Sequence, residues 1–251
     1  MNNILEIKNL SKHYFVNKEI IEVLKDINLA VNDNEIIAIV GASGCGKSSL
    51  LSIICNLLDY TDGSIIYHKP LTFGYMFQTD TLFPWLTVKD NCLLGLKITK
   101  KDYKSKEKEL NELLMRYHLD SFKDKYPNNL SGGMIKRAQL IRTILIDPDI
   151  LLLDEPFSAL DYQTHIYIAN DVYNLVKKNK KAMIIVTHDI EEAVSLADKV
   201  IVLSNRPSSI IKEIKIDKDG LNPINFRKTA KFLKYTNEIW ELMDNAWTKI
   251  S

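Results

Sequence analysis

The sequence predicts an α/β fold: a core of parallel strands, an antiparallel β-lobe ahead of it and an α-helical lobe inserted into it. Three observations carry this. First, Glu35-Ile36-Ile37-Ala38-Ile39-Val40, Ile150-Leu151-Leu152-Leu153 and Met183-Ile184-Ile185-Val186 are short unbroken apolar runs, as in strands buried on both faces of a parallel sheet. Second, each run ends in a turn rich in Gly or in polar groups, and a helical pattern follows. Third, residues 79–147 carry helical periodicity with no strand pattern.

Size and composition narrow the class. The 251 residues fit one large domain or one domain with an inserted lobe. Thirty-three basic residues face 32 acidic ones, so the chain has no bulk footprint for nucleic acid. Cys45, Cys55 and Cys92 have no paired spacing, which argues for a reducing compartment and against disulfides or a zinc site. Met1 to Glu6 lacks a basic region followed by an apolar one, so no secretory signal is expected. No uncharged apolar run approaches the 18 residues of a membrane span, so any membrane role is expected to be peripheral.

Along the chain, Ile4 to Leu10 and Val23 to Val31 read as strands, with Ile27, Leu29 and Val31 alternating as in a half-buried antiparallel sheet. Between them lies Lys12-His13-Tyr14-Phe15. Tyr14 is placed either to stack on a base or simply to pack in the β-lobe. The first buried strand leads into Gly41-Ala42-Ser43-Gly44-Cys45-Gly46-Lys47-Ser48-Ser49, and a helix to about Leu58 follows. Gly41, four residues, then Gly46-Lys47-Ser48 is the P-loop spacing in its strand–loop–helix setting. Its glycines let successive backbone N–H groups point inward at phosphate oxygens, and the helix adds its positive end. Lys47 is placed for the β- and γ-phosphates and Ser48 for Mg²⁺, so the chain is expected to bind a nucleoside triphosphate.

Thr61-Asp62-Gly63-Ser64 reads as a turn and Ile65-Ile66-Tyr67 as a short strand. Phe73 to Phe77 is a strand that ends in Gln78, whose amide is equally suited to capping or solvent contact. In the inserted lobe, Thr87 caps a helix through Leu96. Asp102 to His118 carries Leu110, Leu113, Leu114 and Tyr117 on one face, with Lys104, Lys106, Glu107 and Lys108 on a solvated opposite face. Ser131 caps a helix from Met134 to Ile146, and Ser131-Gly132-Gly133 offers bare N–H groups to an anion, although loops produce such triplets often.

The second buried strand ends in Asp154-Glu155, where open α/β sheets bind ligands. Asp154 is placed to hold Mg²⁺ through water, and Glu155 to orient or deprotonate an attacking water. Ser158-Ala159-Leu160-Asp161 follows, then a helix with Ile168, Val172, Leu175 and Val176 on one face. The third strand ends at Thr187-His188-Asp189, with His188 either structural or near a γ-phosphate. A helix from Glu191 to Ala197 and a strand from Val200 to Leu203 close the core. Phe232, Tyr235, Ile239, Leu242, Met243 and Ala246 form a stripe on a last helix that docks on the core or binds a partner.

Taken in order, Gly41 to Ser48, Gln78, Leu130 to Gly133, Leu151 to Glu155, Ser158 to Asp161 and His188 resemble one family, the ATP-binding subunits of ABC transporters. The resemblance covers Ile4 to about Pro207 and implies a P-loop NTPase core over residues 1–217, with a C-terminal helical extension at 218–251. It implies that Tyr14, Ser49, Ser131, Gly132, Gly133 and Asp161 join the P-loop in binding ATP. It also implies that Glu155, His188, Gln78 and Lys47 serve hydrolysis, and that Ser48, Gln78 and Asp154 serve Mg²⁺. One departure is Met134, where the family's signature motif ends in Gln; a thioether has no amide hydrogen bond to offer. That Met, together with Leu82-Phe83-Pro84-Trp85-Leu86-Thr87-Val88, Asn91-Cys92 and Thr187 to Ala193, resembles the nitrate, sulfonate and taurine importer subfamily. Its relatives also carry thiamine precursors or riboflavin.

The resemblance implies a head-to-tail homodimer with ATP between the P-loop of one copy and Ser131-Gly132-Gly133 of the other. It further implies a transmembrane permease docked beside Gln78, near Phe83 and Trp85, at the cytoplasmic face of the cell membrane. An extracytoplasmic solute-binding protein completes the system. Phe83 and Trp85 equally fit packing inside the lobe. Two rival classes are a soluble ABC-type ATPase, which is usually a tandem cassette or carries a long coiled-coil insertion, and a P-loop kinase, which gives no reason for Ser131-Gly132-Gly133.

Overall fold

The computed structural model describes residues 3–99 and 102–248, with side chains through 245. The chain opens with a long antiparallel hairpin, β1 (Asn3–Val16) and β2 (Glu19–Asn32). Asn17 and Lys18 both have positive φ (51° and 71°), the conformation of a tight hairpin turn. Both strands therefore run beyond the segments expected from sequence, and Tyr14 lies within β1, opposite Ile21. β3 (Ile36–Val40), α1 (Lys47–Ile54), β4 (Asp62–Tyr67) and β5 (Phe73–Met76) follow. β4 pairs antiparallel with β1, giving a three-stranded β-lobe in the order β2-β1-β4.

The inserted lobe holds α2 (Val88–Ile98), α3 (Glu107–Arg116), two single 3₁₀ turns (Asp120–Phe122 and Pro127–Asn129) and α4 (Gly132–Leu145). Thr87 caps α2 by accepting from Asp90 N at 3.1 Å, and Ser131 caps α4 by accepting from Met134 N at 3.4 Å. β6 (Ile150–Asp154), α5 (Tyr162–Lys178), β7 (Ala182–Val186), α6 (Ile190–Leu196), β8 (Lys199–Leu203) and β9 (Ile210–Lys215) complete the core. Its sheet runs β5-β6-β7-β3-β8-β9, parallel except for β9, which pairs antiparallel with β8. α7 (Pro223–Phe226) and α8 (Ala230–Thr248) end the described chain.

Every residue of β3, β6, β7 and β8 is buried. Within each strand, alternate side chains enter opposite layers. Ile36, Ala38, Leu151, Leu153, Met183 and Ile185 join the helices of the lobe and the C-terminus. Ile37, Ile39, Ile150, Leu152, Ile184 and Val186 join α1 and the β-lobe. A run apolar on both faces is what this sandwich requires, and each fully buried Ile or Leu contributes about 1.5–3 kcal/mol. The strand ends converge at one edge, which is where the site lies.

The further differences from the sequence expectation lie in α1, α3 and β9. α1 stops at Ile54 rather than near Leu58, because Asn56 turns left-handed (φ 58°) and Leu57 N bonds back to Ser52 O at 2.9 Å. The helix expected from Asp102 begins only at Glu107, since the Asp102 carboxylate takes the Lys104 and Ser105 N–H groups into a turn. β9 was not expected: Ile210 to Lys215 is an edge strand without clear alternation, and Ile214 alone of its residues is buried. α8 docks on the core, burying Phe232, Ile239 and Met243, while Trp240 faces solvent. The Ala246 side chain of the expected stripe lies outside the described residues.

Candidate functional site

The P-loop joins β3 to α1 and is shaped by glycine where no side chain fits. A Cβ on Gly46 (φ 112°) would lie 2.7 Å from Val23, and one on Gly41 would lie 3.1 Å from Leu203 Cβ. Lys47 is 6% exposed, and its ammonium donates to Gly41 O at 2.9 Å and Ala42 O at 2.8 Å, so it is held at the mouth of its own loop. Tyr14 reaches the loop from β1, with its hydroxyl 3.4 Å from Ser49 Oγ. Lys12 Nζ sits 4.9 Å from its ring centroid, so that face already carries a cation.

Two carboxylates close β6. Asp154 is buried, and burial pushes its carboxyl above the usual carboxylate range, against a hydrogen bond from Ser48. Its Oδ1 has no hydrogen-bond partner among the described residues. An orphaned carboxylate oxygen beside a hydroxyl is the hard-oxygen donor set that Mg²⁺ takes, so these residues fit that ion. Glu155 turns out of the strand with φ 46°, a conformation costing a non-glycine residue about 1–3 kcal/mol. Its N–H is pinned to Val186 O at 2.9 Å, and its carboxylate faces His188, with Oε1 3.4 Å from Nδ1.

Ser43, Gly44, Gly46, Lys47, Ser48, Ser49, Gln78 and Glu155 line one cavity of about 250 Å³. Ser131, Gly132, Gly133 and Asp161 do not line it. Gly133 packs instead against the loop after Glu155, where a Cβ would lie 3.1 Å from Ala159 O. Asp161 is the N-cap of α5, and the hydrogen bonds from Thr164 hold its carboxyl below the usual range. Met134 packs on the lobe's apolar core. Phe83 and Trp85 pair with ring centroids 5.1 Å apart and point outward, Trp85 being 69% exposed. Their loop is held by buried Asn91, which accepts from Phe83 N at 2.8 Å and donates to the carbonyls of Phe83, Leu86 and Thr87.

Several contributors escaped the sequence reading. Lys136 donates to Gln78 O, Gln139 Nε2 to Thr79 O at 3.0 Å and Arg142 to Thr81 O at 2.8 Å, so three side chains of α4 fix the Gln78 loop. Arg206 also lines the cavity, 3.7 Å from where a Cβ on Gly44 would sit. Its neighbour Ser208 donates to Cys45 O, tying the β8–β9 turn to the P-loop. These residues sit in ordinary helix or loop surroundings, and only the fold brings them to the site.

The family model described as ABC transporter matches residues 24–158. An uncharacterized ABC transporter ATP-binding protein, YtlC of Bacillus subtilis (strain 168), is 36% identical, the match covering 96% of each chain. The aliphatic sulfonates import ATP-binding protein SsuB of Bacillus anthracis is 38% identical over 84% of this chain and 85% of its own. The nitrate import ATP-binding protein NrtD of Synechocystis sp. (strain ATCC 27184 / PCC 6803 / Kazusa) is 36% identical over 95% and 94%. Among solved structures, the dimeric post-hydrolysis state of the ATP-binding cassette MJ0796, bound to ADP and Pi, superposes with a TM-score of 0.78 at 30% identity. That match covers 85% of this chain and 99% of that one. Among the described residues no helix is long and apolar enough to cross a membrane. With a P-loop, strand-end carboxylates and a cassette fold throughout, the chain belongs to the ABC transporter ATP-binding family and is one of its ATP-hydrolysing subunits.

Proposed function

We propose that this subunit powers an importer of a small solute (nitrate, a sulfonate, taurine or a related compound such as a thiamine precursor) as a homodimer docked on a transmembrane permease. It would work at the cytoplasmic face of the membrane, fed by an extracytoplasmic solute-binding protein. One observation carries the dimer: Ser131-Gly132-Gly133 opens a helix N-terminus yet does not line the chain's own P-loop cavity. A second copy supplies it, as in a two-fold sandwich. The exposed Phe83–Trp85 pair supports permease docking beside Gln78, and the names of the sulfonate and nitrate relatives support the solute class.

In this mechanism the backbone from Gly41 to Ser49 cradles the phosphates, Lys47 pairs with the β- and γ-phosphates, and Tyr14 lies beside the base. Ser48, Asp154 and Gln78 would hold Mg²⁺, which when bound neutralises phosphate charge. Glu155 orients and deprotonates the attacking water, and His188, across from it at 3.4 Å, contacts the γ-phosphate. Asp161 meets the nucleotide of the partner copy. Residues 1–217 form the ATPase domain and 218–251 an extension that braces it. The test is ATPase stimulation of the reconstituted complex across candidate binding-protein ligands, with cysteine cross-linking from Phe83 or Trp85 to a permease loop. Stimulation by a sulfonate or nitrate with cross-links at that surface supports the reading; cross-links only from around Trp240 refute the docking.

A further inference from the structure

α5 and α6 follow the two loops that frame the reaction. α5 begins at the Asp161 cap, after the Glu155 turn, and α6 at the Asp189 cap, after His188. One turn into each helix stands one member of a buried pair, His165 and Glu192, with Nε2 and Oε2 3.2 Å apart and side chains 13% and 5% exposed. The Phe157 ring stacks on the imidazole at 5.2 Å and 26°, fixing its plane. Neither His165 Nε2 nor Glu192 Oε1 has a hydrogen-bond partner among the described residues, so the pair is a close contact of charge-bearing groups and not a formed hydrogen bond. Burial pushes its carboxyl up, while His165 beside it pulls it down. The pair lines a cavity of about 160 Å³ with Glu155, Ser158, Thr187, His188 and Asp189.

We propose that His165 and Glu192 form a strut that sets the spacing of the Glu155 and His188 loops, making His165 a positioning residue for ATP hydrolysis. The proposal rests on the catalytic reading of those two residues. The charged and titratable groups facing His165 are few. Glu192 and Asp189 come from α6, Glu155 from the end of β6 and His188 from the end of β7. Asp189 Oδ1 is engaged with Glu192 N at 3.0 Å, which leaves Glu192 as the partner of the imidazole. The basic side chain at 165 faces the buried carboxylate and holds the first turns of α5 and α6 together. Without it Glu192 keeps an uncompensated charge and α6 shifts, carrying His188 from Glu155.

The experiment measures kcat and ATP affinity of the pure chain for wild type, His165→Arg, His165→Gln and Glu192→Gln. His165→Gln should lower kcat by about tenfold at constant ATP affinity, because the spacing of the loops is lost and no nucleotide contact is. His165→Arg keeps a basic side chain facing Glu192 and should restore kcat to within about threefold of wild type. Thermal unfolding identifies variants that fail to fold; if His165→Gln does not fold, the Arg variant carries the test, with Glu192→Gln expected to be slow at constant ATP affinity. A folded His165→Gln protein with wild-type kcat, or a folded His165→Arg protein as slow as His165→Gln, overturns the strut. So does a wild-type activity that rises when EDTA removes trace Zn²⁺ with Mg²⁺ held in excess, which would make the cluster a metal site. Glu155→Gln run in parallel separates the readings, because unchanged turnover there sinks the catalytic assignment itself.

Discussion

Glu155 and Gln78 line the same cavity but are held by opposite means. Glu155 hangs from the sheet: its N–H belongs to the backbone pairing with β7, and its turn is the end of a strand buried on both faces. The Gln78 loop hangs from side chains, those of Lys136, Gln139 and Arg142, all on α4. α4 is also the helix that begins with Ser131-Gly132-Gly133. A backbone ladder fixes Glu155 to the sheet core, whereas side-chain tethers tie the Gln78 loop to the inserted lobe. On the proposed reading the chemical half of the site is then the rigid one, and the half beside Gln78 is the one that can move with the lobe.

The largest effect that tests this contrast is on chemistry alone. Glu155→Gln keeps shape and hydrogen bonding but accepts no proton, so hydrolysis should fall by about 10²–10⁴ with ATP binding intact. With ATP left uncleaved at the interface, size-exclusion chromatography should show a nucleotide-bound dimer. Wild-type hydrolysis, or a monomer with ATP bound, would sink both the assignment and the sandwich. Next comes Lys47→Ala, which deletes a buried charge held inside the loop. Loss of a charge-assisted contact is worth about 1.5–3 kcal/mol, so nucleotide titration should show ATP affinity lowered by about 10–100-fold.

The tether is expected to matter differently. Lys136→Met keeps bulk on α4 but removes the donor to Gln78 O and the charge 3.7 Å from Asp80. The pure subunit should bind and hydrolyse ATP within about threefold of wild type, since no phosphate contact is lost. Stimulation of its ATPase by a reconstituted permease should drop more than basal turnover does. If basal and stimulated rates fall together, the loop is part of the rigid half and the comparison fails.

How far the sequence could show this follows from the same contrast. The positions of Asp154, Glu155 and Lys47 were legible because a buried strand or a P-loop is a local pattern that fixes which residues stand at its end. The separation of Ser131-Gly132-Gly133 from the P-loop cavity was implied only by resemblance. Lys136, Gln139, Arg142, Asn91 and His165 read as ordinary helix residues, because their partners lie in other elements or at a helix's capping loop. Gln139 and Thr79, for example, are 60 residues apart. β9 and the full β1–β2 hairpin were missed because exposed strands alternate weakly, and the Asn17-Lys18 turn carries no Gly signal.

The smallest effect asks whether side-chain tethering extends to the C-terminal segment. Lys218 is buried and donates to Leu196 O at 2.8 Å at the end of α6, with Asp198 3.8 Å away and the Tyr173 ring beneath it. Burial lowers its pKa from 10.5 to about 8, with Asp198 opposing the shift and Lys177 adding to it. Between those values the unfolded chain holds a proton that the folded chain has released. This group's contribution to stability therefore rises with pH across the window, from about 8 to 10.5. Cys92 acts the other way, its thiol raised by burial from 9.0 to about 12, so only a difference isolates Lys218. Urea unfolding at pH 7.5 and 9.5 should show the wild type gaining stability relative to Lys218→Met, by on the order of 1 kcal/mol. An unchanged difference would mean that the ammonium stays charged against Asp198, so that the segment is fastened by an ion pair and not by a buried donor that sheds its charge.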